Sequence, residues 1–229
     1  MSASAYTFFG IIRAGGIAVV LNANLTLSDA VPLVSFAECR FARFGATHDF
    51  AGTSAEGQRL SDAFHIPQSR VLSIADMDLS NVPLSSVDET DRSSKDDAYI
   101  IYTSGTTAFP KAVVSSQYGI INTINQFTQA IGALRGNRAV LGVPLFHAYG
   151  ISVSWLYLFN GATLILPNRI KADAIANAVE RENATDLWSV APIYQGIIDS
   201  ETMTTKVAPR LRVCTIAGSY TSPVQFMRF

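Results

Sequence analysis

The stretch Ala98-Tyr99-Ile100-Ile101-Tyr102-Thr103-Ser104-Gly105-Thr106-Thr107-Ala108-Phe109-Pro110-Lys111 decides how the rest of this chain is read. Its first five residues are a short apolar run of the kind that forms a buried strand. Residues 103–107 then hold three threonines, one serine and one glycine, and Lys111 follows. Hydroxyls and exposed backbone N–H groups bind phosphate oxygens, and an ammonium adds a compact positive charge. A strand that empties into such a loop presents phosphate-binding groups. The Walker A pattern, G-x-x-x-x-G-K-[ST], does not fit. Counted from Gly105, Pro110 stands where the second glycine belongs and Ala112 where the magnesium-binding hydroxyl belongs.

Working outward, the chain has 229 residues, 48% apolar and 15% charged, with a net charge of −1. That is enough apolar material for a substantial core and excludes a disordered tail. The near-neutral charge leaves no electrostatic footprint for nucleic acid and no basic patch for lipid headgroups. Cys39 and Cys214 lack metal-ligand spacing. They are expected to be buried reduced thiols, with a single disulfide as the alternative. Residues 6–21 are apolar but are broken by Arg13 and by Gly15-Gly16, and no basic segment precedes them. They read as a buried helix, a glycine turn and a strand rather than a signal peptide or membrane span. A cytoplasmic protein without an integral membrane segment is the expectation.

Residues 4–14 are expected to form a helix ended by the two glycines, and residues 17–21 a strand. Ser28 is expected to cap a helix reaching Cys39, with Pro32 in its first turn. Residues 76–97 are rich in Asp and Ser and lack periodicity, so they read as a solvated linker. This divides the chain into residues 1–75, the linker 76–97, and residues 98–229. Beyond the lysine, Ser115 or Ser116 can cap a helix running to about Leu134. Strands are then expected at 139–143, 162–166, 186–190 and 211–217, and helices at 149–159, 171–182 and 193–200. Short strands alternating with helices imply βαβ crossovers, hence an α/β fold with largely parallel sheets flanked by helices. Ligands bind such sheets at the carboxyl ends of the strands. The loops after Tyr102, Val143, Val190 and Ala217 are therefore the candidate site.

The string YTSGTTAFPKAV resembles the phosphate-binding signature of the adenylate-forming (AMP-binding) enzymes, in which TSGTTG is followed by one residue and PKG. Tyr102, the TSGTT core, Pro110 and Lys111 match; Ala108 and Ala112 stand where the pattern has glycine. Alanine at a position needing positive φ costs roughly 1 kcal/mol or more, which would weaken nucleotide binding. The N-terminal Gly10-Ile11-Ile12-Arg13-Ala14-Gly15-Gly16 and Val20-Leu21-Asn22 are similar to the family's L-K-A-G-G…V-P-L-N segment.

The resemblance extends to three more places. Val143-Pro144-Leu145-Phe146-His147-Ala148-Tyr149-Gly150 is similar to the family's P-x-F-H-x-x-G motif, whose histidine lies near the reacting carboxylate and α-phosphate. A histidine there can donate a hydrogen bond to developing oxyanion charge and orient the substrate. Val190-Ala191-Pro192 is similar to a step that lines the acyl pocket. Ile216-Ala217-Gly218-Ser219-Tyr220-Thr221-Ser222 is similar to the family's adenine-packing S-G-G-A-P-L-S loop, with Ser219 and Tyr220 departing from it. The resemblance thus implies His147 and Lys111 as catalytic residues. It implies Thr103, Ser104, Gly105, Thr106, Thr107, Lys111, Gly218, Ser219 and Tyr220 as nucleotide-binding, and Thr106 as a metal contact. Phe146, Tyr149, Val153 and Ala191 would line the substrate pocket.

The reaction so implied is ATP- and Mg²⁺-dependent activation of a small carboxylic acid, followed by thioester formation on coenzyme A or a phosphopantetheine arm. Family members carry further segments downstream: a Y-G-x-T-E glutamate for magnesium, a T-G-D aspartate for ribose, and a C-terminal lid with a lysine. This sequence ends before them. The expectation is a partial N-terminal domain, weakly active or inactive alone, completed by a companion chain or serving a carrier protein. The alternative is a non-catalytic, nucleotide-binding remnant of the same fold. No G-x-S-x-G elbow supports a serine hydrolase.

Overall fold

Strand β4 (Asp97–Thr103) is the observed form of the apolar run. It lies at the centre of a three-stranded sheet, between β1 (Ala18–Val20) and β5 (Lys111–Ser116). β1 and β4 run parallel, with Ala18 opposite Tyr99 and Val20 opposite Ile101. The computed structural model describes residues 2–45, 54–74, 93–103, 110–132, 134–200, 210–218 and 221–222. The chain forms two units, one of residues 6–115 and one of residues 116–229 together with 1–5.

In the first unit, helix α1 (Ser2–Arg13) ends where Gly15 takes a positive φ of 83°, as the glycine pair predicts. Phe8 of that helix meets the Tyr99 ring edge-on at 5.6 Å. The apolar segment 6–21 is therefore a helix, a turn and a strand. No helix among the described residues is long and apolar enough to cross a membrane. A second, two-stranded parallel sheet joins β2 (Ala42–Phe44) and β3 (Val71–Ser73). Helices α2 (Leu27–Phe36) and α3 (Ser54–Phe64) accompany it, and Val34, Leu60, Ile66 and Val71 form the core. The sequence reading had assigned no element between Cys39 and the linker.

Helix α2 corrects the expected start. Thr26, not Ser28, is the cap: its hydroxyl accepts from the Asp29 N–H at 3.3 Å and donates to the Asp29 carboxylate at 2.6 Å. Pro32 lies inside the helix rather than in its first turn. It is exposed there, so the Ser28 carbonyl, which gains no i+4 N–H from proline, can turn to water. Thr26→Ala is expected to cost about 1 kcal/mol and Ser28→Ala much less, which urea denaturation of the two variants would check.

In the second unit, Ser116 accepts from the Gly119 N–H at 3.2 Å and caps α4 (Gln117–Ile131). Four strands follow, β6 (Arg138–Leu141), β7 (Thr163–Ile165), β8 (Asp186–Ser189) and β9 (Val213–Ile216), alternating with α5 (Ala148–Phe159), α6 (Ala172–Arg181) and α7 (Ala191–Asp199). All three pairings are parallel, in the order β7-β6-β8-β9. Both faces are covered. Val140 and Leu187 pack with Ile175, Val179, Tyr194 and Ile197 of α6 and α7. The alternate residue Trp188 turns the other way, to Tyr157 of α5. Double coverage is why the central strands carry the buried runs Ala139-Val140-Leu141 and Leu187-Trp188 with apolar residues on both faces. Both thiols are free, as expected, but neither is fully buried: Cys39 is half-buried and Cys214 is exposed on β9. Burial pushes the Cys39 thiol up from its usual range.

Candidate functional site

The strand order β7-β6-β8-β9 reverses direction once: the chain leaves β6 for β7 on one side, then crosses to β8 and β9 on the other. The carboxyl ends of β6 and β8 therefore flank a topological switch point, where open α/β sheets bind ligands. The loop leaving β6 carries Phe146 and His147, and the turn leaving β8 carries Val190 and Ala191. Gly218 follows β9 on the same edge. The fold thus gathers His147, Ala191 and Gly218, far apart in sequence, at one end of one sheet.

The loop is tightly fixed. Gly142 donates its N–H to the Trp188 carbonyl at 2.7 Å, and the Ser189 hydroxyl donates to the Gly142 carbonyl at 2.9 Å. A Cβ on Gly142 would come within 2.5 Å of that hydroxyl oxygen. His147 donates its N–H to the Pro144 carbonyl at 3.3 Å, and a Cβ on Gly150 would overlap the same carbonyl oxygen. Only glycine allows the first turn of α5 to sit so close to the loop. His147 is the N-cap residue of α5, yet its imidazole makes no capping bond. The side chain is exposed, with the Phe146 ring 4.6 Å away.

Of the residues expected to line a pocket, Phe146 is half-buried, while Val153 and Ala191 are buried within the packed layer. Tyr149 is half-buried, its ring tilted against Trp188 at 6.1 Å. Gly218 is exposed with a positive φ of 84°, a conformation that requires glycine even though a Cβ would meet only ordinary contact. Ser219 and Tyr220 lie outside the described residues. A cavity of about 450 Å³ beside α6, bordered by Asn168, Arg169, Asn177 and Arg181, contains none of the expected residues.

In the other unit, β4 and β5 are hydrogen-bonded neighbours, so the two ends of the hydroxyl-rich loop are brought together. Thr103 closes β4 and Lys111 opens β5, both exposed. The Thr103 hydroxyl reaches the Lys111 carbonyl at 3.5 Å. That separation is too long for a strong bond, so the hydroxyl can turn to a closer acceptor. Tyr102 is anchored through its hydroxyl to the Leu33 carbonyl at 2.7 Å, tying the base of the loop to α2. Ala112 lies within β5, where extended backbone suits alanine as well as glycine. Ser104, Gly105, Thr106, Thr107 and Ala108 lie outside the described residues. Among the described residues, no group of three or more His, Cys, Asp or Glu side chains could hold a metal ion.

Residues that the sequence reading missed do most of the positioning. Ser189 and Gly142, 47 positions apart, meet only because β6 and β8 pair. Asp186 is fully buried and accepts from the Asn137 amide at 2.8 Å and the Tyr157 hydroxyl at 2.6 Å. Trp188 in turn donates to the Tyr157 hydroxyl at 2.7 Å. The one signal in the sequence was an aspartate at the head of an otherwise apolar strand.

Comparison with known proteins agrees with this fold. The sequence model of a family described as AMP-binding enzyme matches residues 3–229. A 4-hydroxybenzoate–CoA/benzoate–CoA ligase of Rhodopseudomonas palustris is 27% identical over 223 residues, covering 92% of this chain and 40% of that enzyme. Among solved structures, VinN in complex with L-aspartate superposes with a TM-score of 0.83 at 21% identity, covering 100% of this chain and 56% of that one. O-succinylbenzoate coenzyme A synthetase of Bacillus subtilis, in complex with AMP, gives 0.81 at 16% identity, covering 99% and 44%. These two likenesses show the fold. The chain spans less than half the length of the curated relatives it matches.

Proposed function

Because this chain belongs to the AMP-binding enzyme family, we propose that it activates a small carboxylic acid with ATP and passes the acyl group to a thiol. In the first step a carboxylate oxygen attacks the α-phosphorus, the bond to the bridging oxygen breaks, and pyrophosphate leaves an acyl-adenylate. In the second, a thiol sulfur of coenzyme A or a phosphopantetheine arm attacks the acyl carbon. The bond to AMP breaks and the thiol proton goes to solvent. The observation that carries the reading is the family match over nearly the whole chain.

Each residue has a physical task. The Lys111 ammonium offsets phosphate charge at the mouth of the loop, and the Thr103 hydroxyl, with those of Ser104, Thr106 and Thr107, donates to phosphate oxygens. Gly105 lets the backbone approach closely. Mg²⁺, when bound on the triphosphate with Thr106 as its protein contact, would neutralise charge that otherwise repels the attacking carboxylate. His147 donates to oxygen charge that develops during attack. Gly218, with Ser219 and Tyr220, borders the base. Phe146 and Tyr149 border the acid, with the buried Val153 and Ala191 packed behind them.

Calorimetric titration of the 229-residue chain with Mg·ATP tests the phosphate role. Binding is expected in the wild type and is expected to weaken at least tenfold in Lys111→Ala, the order of a charged hydrogen bond's contribution. Equal affinity in both would sink the assignment of Lys111. Acid-dependent exchange of pyrophosphate into ATP tests the chemistry. A second reading, a nucleotide-binding module without turnover, is favoured by Ala108 at a position where the family pattern has glycine. It predicts binding without exchange.

A further inference from the structure

Tyr149 stands two residues after His147, in the first turn of α5. Its hydroxyl points away from the helix and donates to backbone on two strands, reaching the Thr215 carbonyl at 3.2 Å and, more weakly, the Ser189 carbonyl at 3.5 Å. Ser189 ends β8, and Thr215 pairs with Trp188 near the end of β9. The hydroxyl's one proton is held by the nearer contact, which joins the end of β9 to the helix that His147 caps; the approach to β8 is at the limit of hydrogen-bond length. Burial holds the phenol far above its usual range, so it remains a neutral donor. The opposite side of the same turn is held by Gly150, pressed on the Pro144 carbonyl. His147 itself contributes nothing to this scaffold through its side chain, which makes no capping bond and stays exposed. Its aim depends on where the first turn of α5 is held.

We propose that Tyr149 is a positioning residue: its hydroxyl braces the first turn of α5 against β9, and so sets the direction of the His147 imidazole. The functional weight of that brace rests on the reading above, in which His147 attends the reacting carboxylate. The ring of Tyr149 can still border the acid; the hydroxyl is committed to the backbone.

Tyr194 supplies an internal control. Its hydroxyl donates to the Leu187 carbonyl at 2.8 Å and to the same Thr215 carbonyl at 3.3 Å, but it comes from α7, which does not lead to His147. The chain has three histidines, at 48, 65 and 147, so imidazole ¹H–¹³C spectra of the full chain are simple to assign with His147→Gln. In Tyr149→Phe the His147 resonance is expected to shift and broaden while the His65 resonance stays in place. In Tyr194→Phe, which also loses a buried hydroxyl, the His147 resonance is expected to hold its wild-type position. An unmoved His147 signal in Tyr149→Phe, or an equal movement in both variants, overturns the proposal. This readout needs no turnover. Should the wild-type chain lack pyrophosphate exchange, the proposed reaction fails while the brace is still tested. Where exchange is present, Tyr149→Phe is expected to lower kcat by about tenfold or more with little change in the KM for ATP, because misaimed groups lose rate before affinity.

Discussion

Asp186→Ala is expected to lower the unfolding free energy by about 2–6 kcal/mol, against a total of about 5–15 kcal/mol for a domain of ordinary stability. The Asn137 amide and the Tyr157 hydroxyl both donate to one oxygen of this carboxylate. Each buried donor left without its acceptor costs about 1–3 kcal/mol. The loss also loosens the Tyr157–Trp188 pair, whose rings meet edge to face at 6.0 Å and are almost wholly buried. Two such rings bury about 150–250 Å² each, worth about 4–6 kcal/mol apiece at about 25 cal/mol/Å². Asp186→Asn should behave differently. The second carboxylate oxygen is buried and has no hydrogen-bond partner among the described residues. An asparagine can keep its carbonyl oxygen on the two donors, so its loss is expected to be smaller than that of the alanine variant. Urea denaturation of the three proteins checks this. A loss in Asp186→Asn as large as in Asp186→Ala would mean that accepting from the two donors is not what Asp186 contributes.

His147→Ala is the counterpart at the site. Acid-dependent pyrophosphate exchange is expected to fall about 10²- to 10³-fold, the effect of deleting one donor aimed at developing oxygen charge. Stability should hardly change, because the imidazole is exposed and caps nothing. ATP affinity, measured by calorimetry, should also hold, since His147 is proposed to act on charge that develops only during attack. A variant that exchanges at the wild-type rate would remove His147 from the reaction; one that melts early would make it a structural residue.

The two experiments separate kinds of residue that the sequence shows unequally. His147 and Lys111 were singled out because each sits in a local string with a recognisable chemistry, and their roles are the proposals tested above. The alternation of short strands and helices from residue 138 onward was legible for a similar reason, since both the period of an element and its breakers are local. The helix caps were half legible: Ser116 was one of two candidates, whereas Thr26 displaced Ser28 because the geometry of the turn, not the residue type, selects among neighbouring hydroxyls. β5 was missed because its exposed Val113 and Val114 follow a loop motif that drew the eye to Lys111 as a loop residue. The segment between Cys39 and the linker was missed because its strands are only three residues long, too short for any periodicity to register.

By themselves, the amino acids determined the class of fold, the buried strand ahead of the hydroxyl-rich segment, and the histidine at a helix start. Those are properties of neighbouring residues, and short-range sterics and polarity specify them. Tertiary structure decided the order of the strands, and with it the switch point between β6 and β8. It also decided that Gly142 meets Ser189, that Tyr149 reaches Thr215, and that Asp186 lies under Tyr157. Each of those contacts joins residues 29–66 positions apart in the chain. No local rule encodes them; they come into being only when several parallel strands pack together and the backbone groups at their ends need partners.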